Sequence, residues 1–272
     1  MSTFPAVTRI QMQRESVICL HSSGASGRQW DAIAGPLSAQ FEVLTPDLLG
    51  YGSRAAWPIG SPASLTEEAQ ALAPLLDARP GGVHVFGHSY GGAVALQIAL
   101  RWPSRVKSLT LYEPVRFALL FGDEETAEVG DDIVRVGRRI AMSVLSGRLH
   151  AAAALFVDYW SGEGAWDAMS AGRQQALASR MPKVHAEFET LFADRVPLAA
   201  YSRLDMPVHL LRGDRSPLPA RMVVGRLGWQ LPNVEVTTLH GLGHMGPVTH
   251  PSQVARALPA WLQPAAHDEL VA

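Results

Sequence analysis

The stretch Val83-His84-Val85-Phe86-Gly87-His88-Ser89-Tyr90-Gly91-Gly92 decides the fold, and an apolar run from Ala93 to Leu100 follows it. Val83 to Phe86 reads as a short strand and Ala93 to Leu100 as a helix. Between them lies a G-x-S-x-G turn. A strand that turns sharply into a helix at this spacing holds the serine in a strained backbone conformation with its hydroxyl exposed. The flanking glycines remove the β-carbons that would clash there. The new helix also begins with unpaired N–H groups that favour developing negative charge. A Gly-rich turn serves simple close packing equally well, so the catalytic reading of Ser89 depends on whether the rest of the chain supplies a base and an acid.

Outward from this turn, short β-branched or apolar runs recur at Val17 to Leu20, Phe41 to Thr45, Val106 to Tyr112, Val208 to Leu211 and Val234 to Leu239. Helix-length segments separate most of them: Arg28 to Gln40, Ser64 to Ala78, Gly91 to Trp102 and Leu218 to Leu231, with Ser252 to Leu262 after the last. Alternating strand and helix predicts an α/β fold, a mainly parallel sheet covered on both faces. Ser64 and Glu67 have capping-box spacing. Pro251 suits a first helical turn. Pro74 and Pro259 fall inside predicted helices and should kink them.

The rhythm breaks between Tyr112 and Val208. Ile133, Val136, Ile140 and Val144 fall at helical spacing there, as do Val184, Phe188, Leu191 and Phe192. A helical cap over residues 116–201 is therefore expected, inserted after the strand ending near Tyr112, with residues 1–115 and 202–272 forming the core. A cap at the carboxyl edge of a parallel sheet lies over the crevice where such folds bind ligands.

His244, in Gly241-Leu242-Gly243-His244-Met245-Gly246, follows the last strand. A neutral imidazole within reach of Ser89 removes its proton near pH 7. Of the 10 histidines, His84 and His209 sit in or beside strands, His185 in the cap and His267 in the tail. His240 is the nearest rival, but it closes a strand, whereas the glycines around His244 suit a shaped loop. The acid has two candidates. Glu113 is a lone carboxylate closing an apolar strand at the edge where Ser89 emerges, and such a group needs a partner. Asp214 follows Val208 to Leu211, where Arg212 and Arg215 could claim it as an ion pair. Glu113 is favoured and Asp214 is the alternative.

Together these motifs resemble the α/β-hydrolase superfamily across Val17 to Leu262, with Gly87 to Gly91 as its nucleophile elbow. The order Ser89 before His244 is that of the superfamily. The resemblance implies an acid after the strand that holds Asp214 in most members, and at the Glu113 position in luciferase-like, dehalogenase-like and lactone-cleaving ones. Dehalogenase chemistry itself needs a carboxylate where Ser89 stands. His21-Ser22-Ser23-Gly24 looks like the superfamily's His-Gly loop, with Ser22 where glycine is usual. Carried over, the backbone N–H groups of Ser23 and Tyr90 form the oxyanion hole. An ordinary capping loop is the other reading of this segment, with Ser26 capping the helix from Arg28.

The implied function is a serine hydrolase that cleaves a carboxylic ester or lactone of a small to medium, mainly apolar substrate through an acyl-enzyme. Trp30, Phe117, Phe121, Trp160, Trp166 and Met245 are the candidates for an apolar pocket between cap and sheet. Arg116 is a candidate for recognising a carboxylate, with a solvated arginine as the plainer expectation. Cofactor-free perhydrolysis, acyl transfer or C–C bond hydrolysis would use the same residues. A non-catalytic ligand receptor is the alternative of another class, opposed by the presence of both Ser89 and His244.

The 272 residues are 47% hydrophobic and 18% charged, as in a globular protein, and the formal net charge of −2 gives no reason to expect nucleic acid or an anionic membrane as partner. A small-molecule substrate is the expected partner. No metal-ligand spacing or dinucleotide fingerprint is present, so no cofactor is expected. The single cysteine, Cys19, lies in an apolar run and reads as buried and inert. Arg9, Arg14 and Glu15 break the amino-terminal apolar stretch, and no run approaches a membrane span, so a cytoplasmic location is expected.

Overall fold

A computed structural model describes residues 14–262. The expectations placed on Met1 to Gln13 and on His267 lie outside those residues. Six strands form one parallel sheet: β1 (Ser16–Leu20), β2 (Glu42–Leu44), β3 (Val83–His88), β4 (Val106–Tyr112), β5 (Val208–Gly213) and β6 (Val234–Leu239), in the order β2-β1-β3-β4-β5-β6. Every neighbouring pair is parallel, with Val85 opposite Ile18 on one side and Leu109 on the other. All six therefore point their carboxyl ends to one edge.

Period-two alternation divides the core into two layers. Val17, Cys19, Phe86 and Tyr112 face a layer completed by α1 (Asp31–Leu37) and by Val254, Leu258 and Leu262 near the carboxyl end. Ile18, Leu20, Val85, Leu109 and Leu111 face the other, which α2 (Leu65–Asp77) and α3 (Tyr90–Arg101) cover. Because β1, β3 and β4 are buried on both faces, their sequences are nearly continuous apolar runs. Cys19 is buried, and burial pushes its thiol up to about 12. Ser64 caps α2, its side chain accepting from Glu67 N–H at 3.3 Å.

Between β4 and β5 the chain inserts four helices: α4 (Glu124–Leu145), α5 (Leu149–Ser161), α6 (Ala171–Ala178) and α7 (Met181–Ala193). Ile133 and Ile140 of α4 and Val184, Phe188 and Leu191 of α7 are buried, and they join the layer that covers α3. Helix α8 (Leu218–Gln230) returns the chain to β6, and two short helices, α9 (Gly246–Thr249) and α10 (Pro251–Arg256), follow it.

Some helices are shorter than the sequence pattern suggests. The segment expected as one helix over Arg28 to Gln40 is a 3-10 turn, Gly27–Trp30, followed by α1. Ser26 precedes that turn but makes no side-chain cap. The last helix ends at Arg256, and a separate 3-10 turn, Ala260–Leu262, starts after Pro259, whose ring nitrogen has no proton to continue an α-helical ladder. Pro74 is accommodated inside α2. Among the described residues no helix is long and apolar enough to cross a membrane.

Candidate active site

Ser89 stands between β3 and α3 at φ 55°, a left-handed conformation that a serine adopts only under constraint. The constraint comes from both sides. Its N–H donates to Tyr112 O at 3.0 Å, and its carbonyl accepts from Ala93 N–H at 3.0 Å and Val115 N–H at 3.3 Å. The elbow closes because its glycines have no side chains: a β-carbon on Gly91 would lie 2.3 Å from Leu20 O, and one on Gly87 would lie 2.6 Å from Gly92 Cα.

The loop after β6 brings the His244 ring beside this serine. Its Nε2 lies 2.9 Å from Ser89 Oγ, and its Nδ1 lies 2.6 Å from Glu113 Oε2. Glu113 follows β4 at φ 45°, fully buried, and its other oxygen accepts from Gly213 N–H at 2.7 Å. With the carboxylate accepting at Nδ1, that nitrogen carries the ring proton and Nε2 faces the serine hydroxyl as an acceptor. Asp214 is turned away from this group. Its carboxylate faces His240 Nδ1 at 3.0 Å and accepts from Gly241 N–H at 2.8 Å, so it belongs to the exposed turn that His240 also occupies. Arg212, a candidate ion-pair partner of Asp214, donates instead to Thr238 Oγ1 at 3.0 Å.

The His21–Gly24 segment lies against the elbow, since Gly91 packs on His21 O. The buried His21 ring faces Ser22 O through Nδ1 at 2.8 Å and accepts Leu48 N–H at Nε2 at 3.0 Å. Those two bonds require a neutral ring protonated on Nδ1. Burial, together with the cations Arg180 and Lys183, lowers the ring to about 4 despite the bond to Ser22. Ser22, where a glycine was usual, has a use for its side chain: Gln29 Oε1 accepts both Ser22 N–H at 3.0 Å and Ser22 Oγ–H at 2.8 Å. The Gln29 amide then reaches His88 Nδ1 at 3.1 Å, and His88 Nε2 reaches the carbonyl of His244 at 2.8 Å. Burial, assisted by the nearby His244, holds His88 well below the usual imidazole range, which keeps this chain of bonds in one sense. The loop bearing Ser23 and the loop bearing His244 are thus tied through Gln29 and His88. No pattern in the sequence marked either residue.

A sequence profile of the alpha/beta hydrolase family matches residues 17–257. The chain belongs to the alpha/beta hydrolase family. Lipase LipV of Mycobacterium tuberculosis is 39% identical to it over 99 residues, 36% of this chain and 36% of that protein. The pimeloyl-(acyl-carrier protein) methyl ester esterase of Aeromonas salmonicida is 37% identical over 99 residues, 36% of this chain and 37% of that protein. The matched segments thus span little more than a third of these curated relatives. Among solved structures, a hydrolase from Pseudomonas aeruginosa PA01 superposes with a TM-score of 0.71 at 21% identity, covering 89% of this chain and 88% of that one. A thermophilic esterase from Thermogutta terrifontis gives 0.70 at 20% identity, covering 92% and 90%. At such identities the likeness is one of fold.

The inserted helices of this alpha/beta hydrolase family member roof the site. Trp160 of α5 lies with its ring centroid 4.0 Å from that of His244, and Phe117 stacks on Trp160 at 6.3 Å. Met245 is half-buried against the same apolar layer. Three expected lining residues stand elsewhere. Trp30 belongs to the opposite layer, with its ring 4.4 Å from Phe86, because the turn Gly27–Trp30 passes to the α1 face of the sheet. Phe121 is 38% exposed and packs on Phe192. Trp166 sits after α5, its ring edge-on to His150 and its backbone N–H donating to Asp158 Oδ1. Arg116 is not solvated but fully buried, with Nε 2.7 Å from Tyr201 Oη and 3.0 Å from Asp194. Its charge is neutralised there by Asp194.

A buried charged cluster under the roof also lacked any distinguishing pattern in the sequence. Lys183 of α7 lies 2.8 Å from Glu68 of α2 and 3.4 Å from Glu187, with the Trp57 ring 4.3 Å from its Nζ. Glu68 also accepts Leu49 N–H at 3.0 Å. Burial outweighs Lys183 and pushes the Glu187 carboxyl up to about 7. The hydroxyls of Ser23 and Tyr51 lie near enough to favour its charged form, though neither is in good hydrogen-bonding geometry.

Proposed function

We propose that this hydrolase cleaves a carboxylic ester or lactone of a small to medium, mainly apolar substrate, with Ser89 as nucleophile, His244 as general base and acid, and Glu113 as the carboxylate that orients the imidazole. The observation that carries this reading is the continuous line from Ser89 Oγ through His244 to Glu113, at 2.9 Å and 2.6 Å, within a buried site.

Ser89 Oγ attacks the substrate carbonyl carbon as its proton passes to His244 Nε2. Negative charge gathers on the carbonyl oxygen, which the N–H groups of Ser23 and Tyr90 receive; Tyr90 is the first residue of α3, so the helix dipole adds to its N–H. The imidazolium, balanced by Glu113, returns its proton to the leaving alkoxide as the carbon–oxygen bond breaks. Water then attacks the acyl-enzyme by the same route in reverse, giving the carboxylic acid and free Ser89. Phe117, Trp160 and Met245 support an apolar substrate, since they give the roof little that hydrogen-bonds. The curated relatives named as a lipase and a methyl ester esterase agree with ester chemistry.

A fluorophosphonate probe tests the reading directly. The expected result is stoichiometric labelling of Ser89 that is lost in Ser89→Ala, with hydrolysis of p-nitrophenyl esters lost alongside. An unlabelled Ser89 in folded protein would sink it. A series of p-nitrophenyl esters of graded acyl length, run beside lactones, then locates the substrate class.

A further inference from the structure

The peptide between Ser22 and Ser23 must be aimed if its N–H is to meet an oxyanion. Within the core its carbonyl is pinned by Ala25 N–H at 3.2 Å and by His21 at 2.8 Å, and because a peptide is planar and trans, this turns Ser23 N–H the opposite way. The next carbonyl but one along the loop is pinned from outside the core. Gly24 O accepts from Arg180 Nη1 at 2.6 Å. Arg180 stands between α6 and α7, half-buried, and among the described residues no carboxylate lies within ion-pairing distance of it. The guanidinium thus gives Gly24 O a charge-assisted hydrogen bond, stronger than one from a neutral donor. The contact around it is tight: Gly24 has φ +72°, and a β-carbon there would lie 2.7 Å from Leu177 of α6. Glu187 of α7, which faces the Ser23 hydroxyl, approaches the same loop from the same helices.

We propose that Arg180 is a positioning residue for the oxyanion loop, so that the inserted helices complete the hole that receives the substrate's carbonyl oxygen. This rests on the reading of Ser23 N–H as an oxyanion donor. The roof and the hole are then one device: substrate closed in beneath α6 and α7 meets a loop whose Gly24 carbonyl is fixed, and with the helices away the loop loses its outer support.

The test compares Arg180→Met with wild type on an ester and on its thionoester, whose C=S sulfur is too large and too weak an acceptor to profit fully from the hole. Arg180→Met is expected to lower kcat for the ester by about tenfold to a hundredfold, to leave KM within about threefold, and to narrow the ester-to-thionoester ratio of kcat/KM. Arg180→Lys, which keeps a donor, restores part of that ratio. A loss of folded protein lowers both substrates alike and leaves the ratio unchanged, so an unchanged ratio in Arg180→Met overturns the proposal whatever the fall in rate. Fluorophosphonate labelling of the wild type separates the two levels. Without labelling, the hydrolase reading fails and this one with it; with labelling and an unchanged ratio, the positioning role alone fails.

Discussion

The Glu113 carboxylate is held between two donors, Gly213 N–H and His244 Nδ1, in a site closed to water. Removing its charge leaves the shape but loses the preference for the reactive tautomer. Glu113→Gln is therefore expected to lower kcat by about 10³ to 10⁴, while Asp214→Asn, which alters only the exposed turn at His240, stays within about threefold; steady-state kinetics on one p-nitrophenyl ester decides between them. Glu113 was legible because a carboxylate ending an apolar strand has to be explained. Lys183, Glu187 and Glu68 were not, since charges on a helix usually read as a solvated face and nothing local shows that α7 lies across α2. Their burial has its own consequence. With its carboxyl raised from 4.5 to about 7, Glu187 keeps a proton in the folded state that the unfolded chain releases, so stability falls as pH rises through that window. Glu187→Gln removes this contribution, on the order of 2–3 kcal/mol. The difference in Tm, variant minus wild type, should become more positive between pH 5 and pH 8, and a flat difference would show that Glu187 titrates as it does in the unfolded chain.

Among elements, the strands were readable because they are buried on both faces and their sequences state it, whereas the helices were readable only in outline. A strand's sequence also leaves open which layer the turn after it enters, and that is why Trp30 was expected above the sheet when the chain folds it beneath. The elbow between β3 and α3 is the reverse case, where local geometry dictates sequence. Gly91→Ala pushes a β-carbon to within 2.3 Å of Leu20 O, a backbone atom that cannot yield without displacing β1. Destabilisation of about 3 kcal/mol or more, or failure to fold, is expected. Gly225 of α8 meets nothing within 4 Å, so Gly225→Ala should gain about 0.5–1 kcal/mol from helix propensity alone. Thermal melts of the two variants form a matched pair, and equal effects would mean that the elbow's glycines are not fixed by close approach.

For the molecule as a whole, the roof that buries the site residues also bears on how a substrate reaches them. Ser89 is 6% exposed, His244 2% and Glu113 0%, and Trp160 covers the imidazole, so on the proposed function entry of an ester is expected to need α5 to α7 to move relative to the sheet. The roof is fastened to the core by buried apolar packing and by polar contacts that include Arg180 to Gly24 O, Lys183 to Glu68 and Thr190 Oγ1 to Ala63 O at 2.5 Å. Because Cys19 is buried and its thiol is pushed up to about 12, a cysteine pair introduced at Ala63 and Thr190 is the only reactive pair in the chain. Oxidised, that pair should lower kcat/KM for long-chain p-nitrophenyl esters by at least about tenfold, with full recovery on reduction, if substrate entry is gated by the roof. Acetyl esters should lose less, since a smaller acyl group needs a smaller opening. Equal rates in the oxidised and reduced states for every chain length would mean that substrate reaches Ser89 with α7 still seated on α2, and would shift the choice of substrate from the movement of the roof to the fixed walls around Phe117 and Met245.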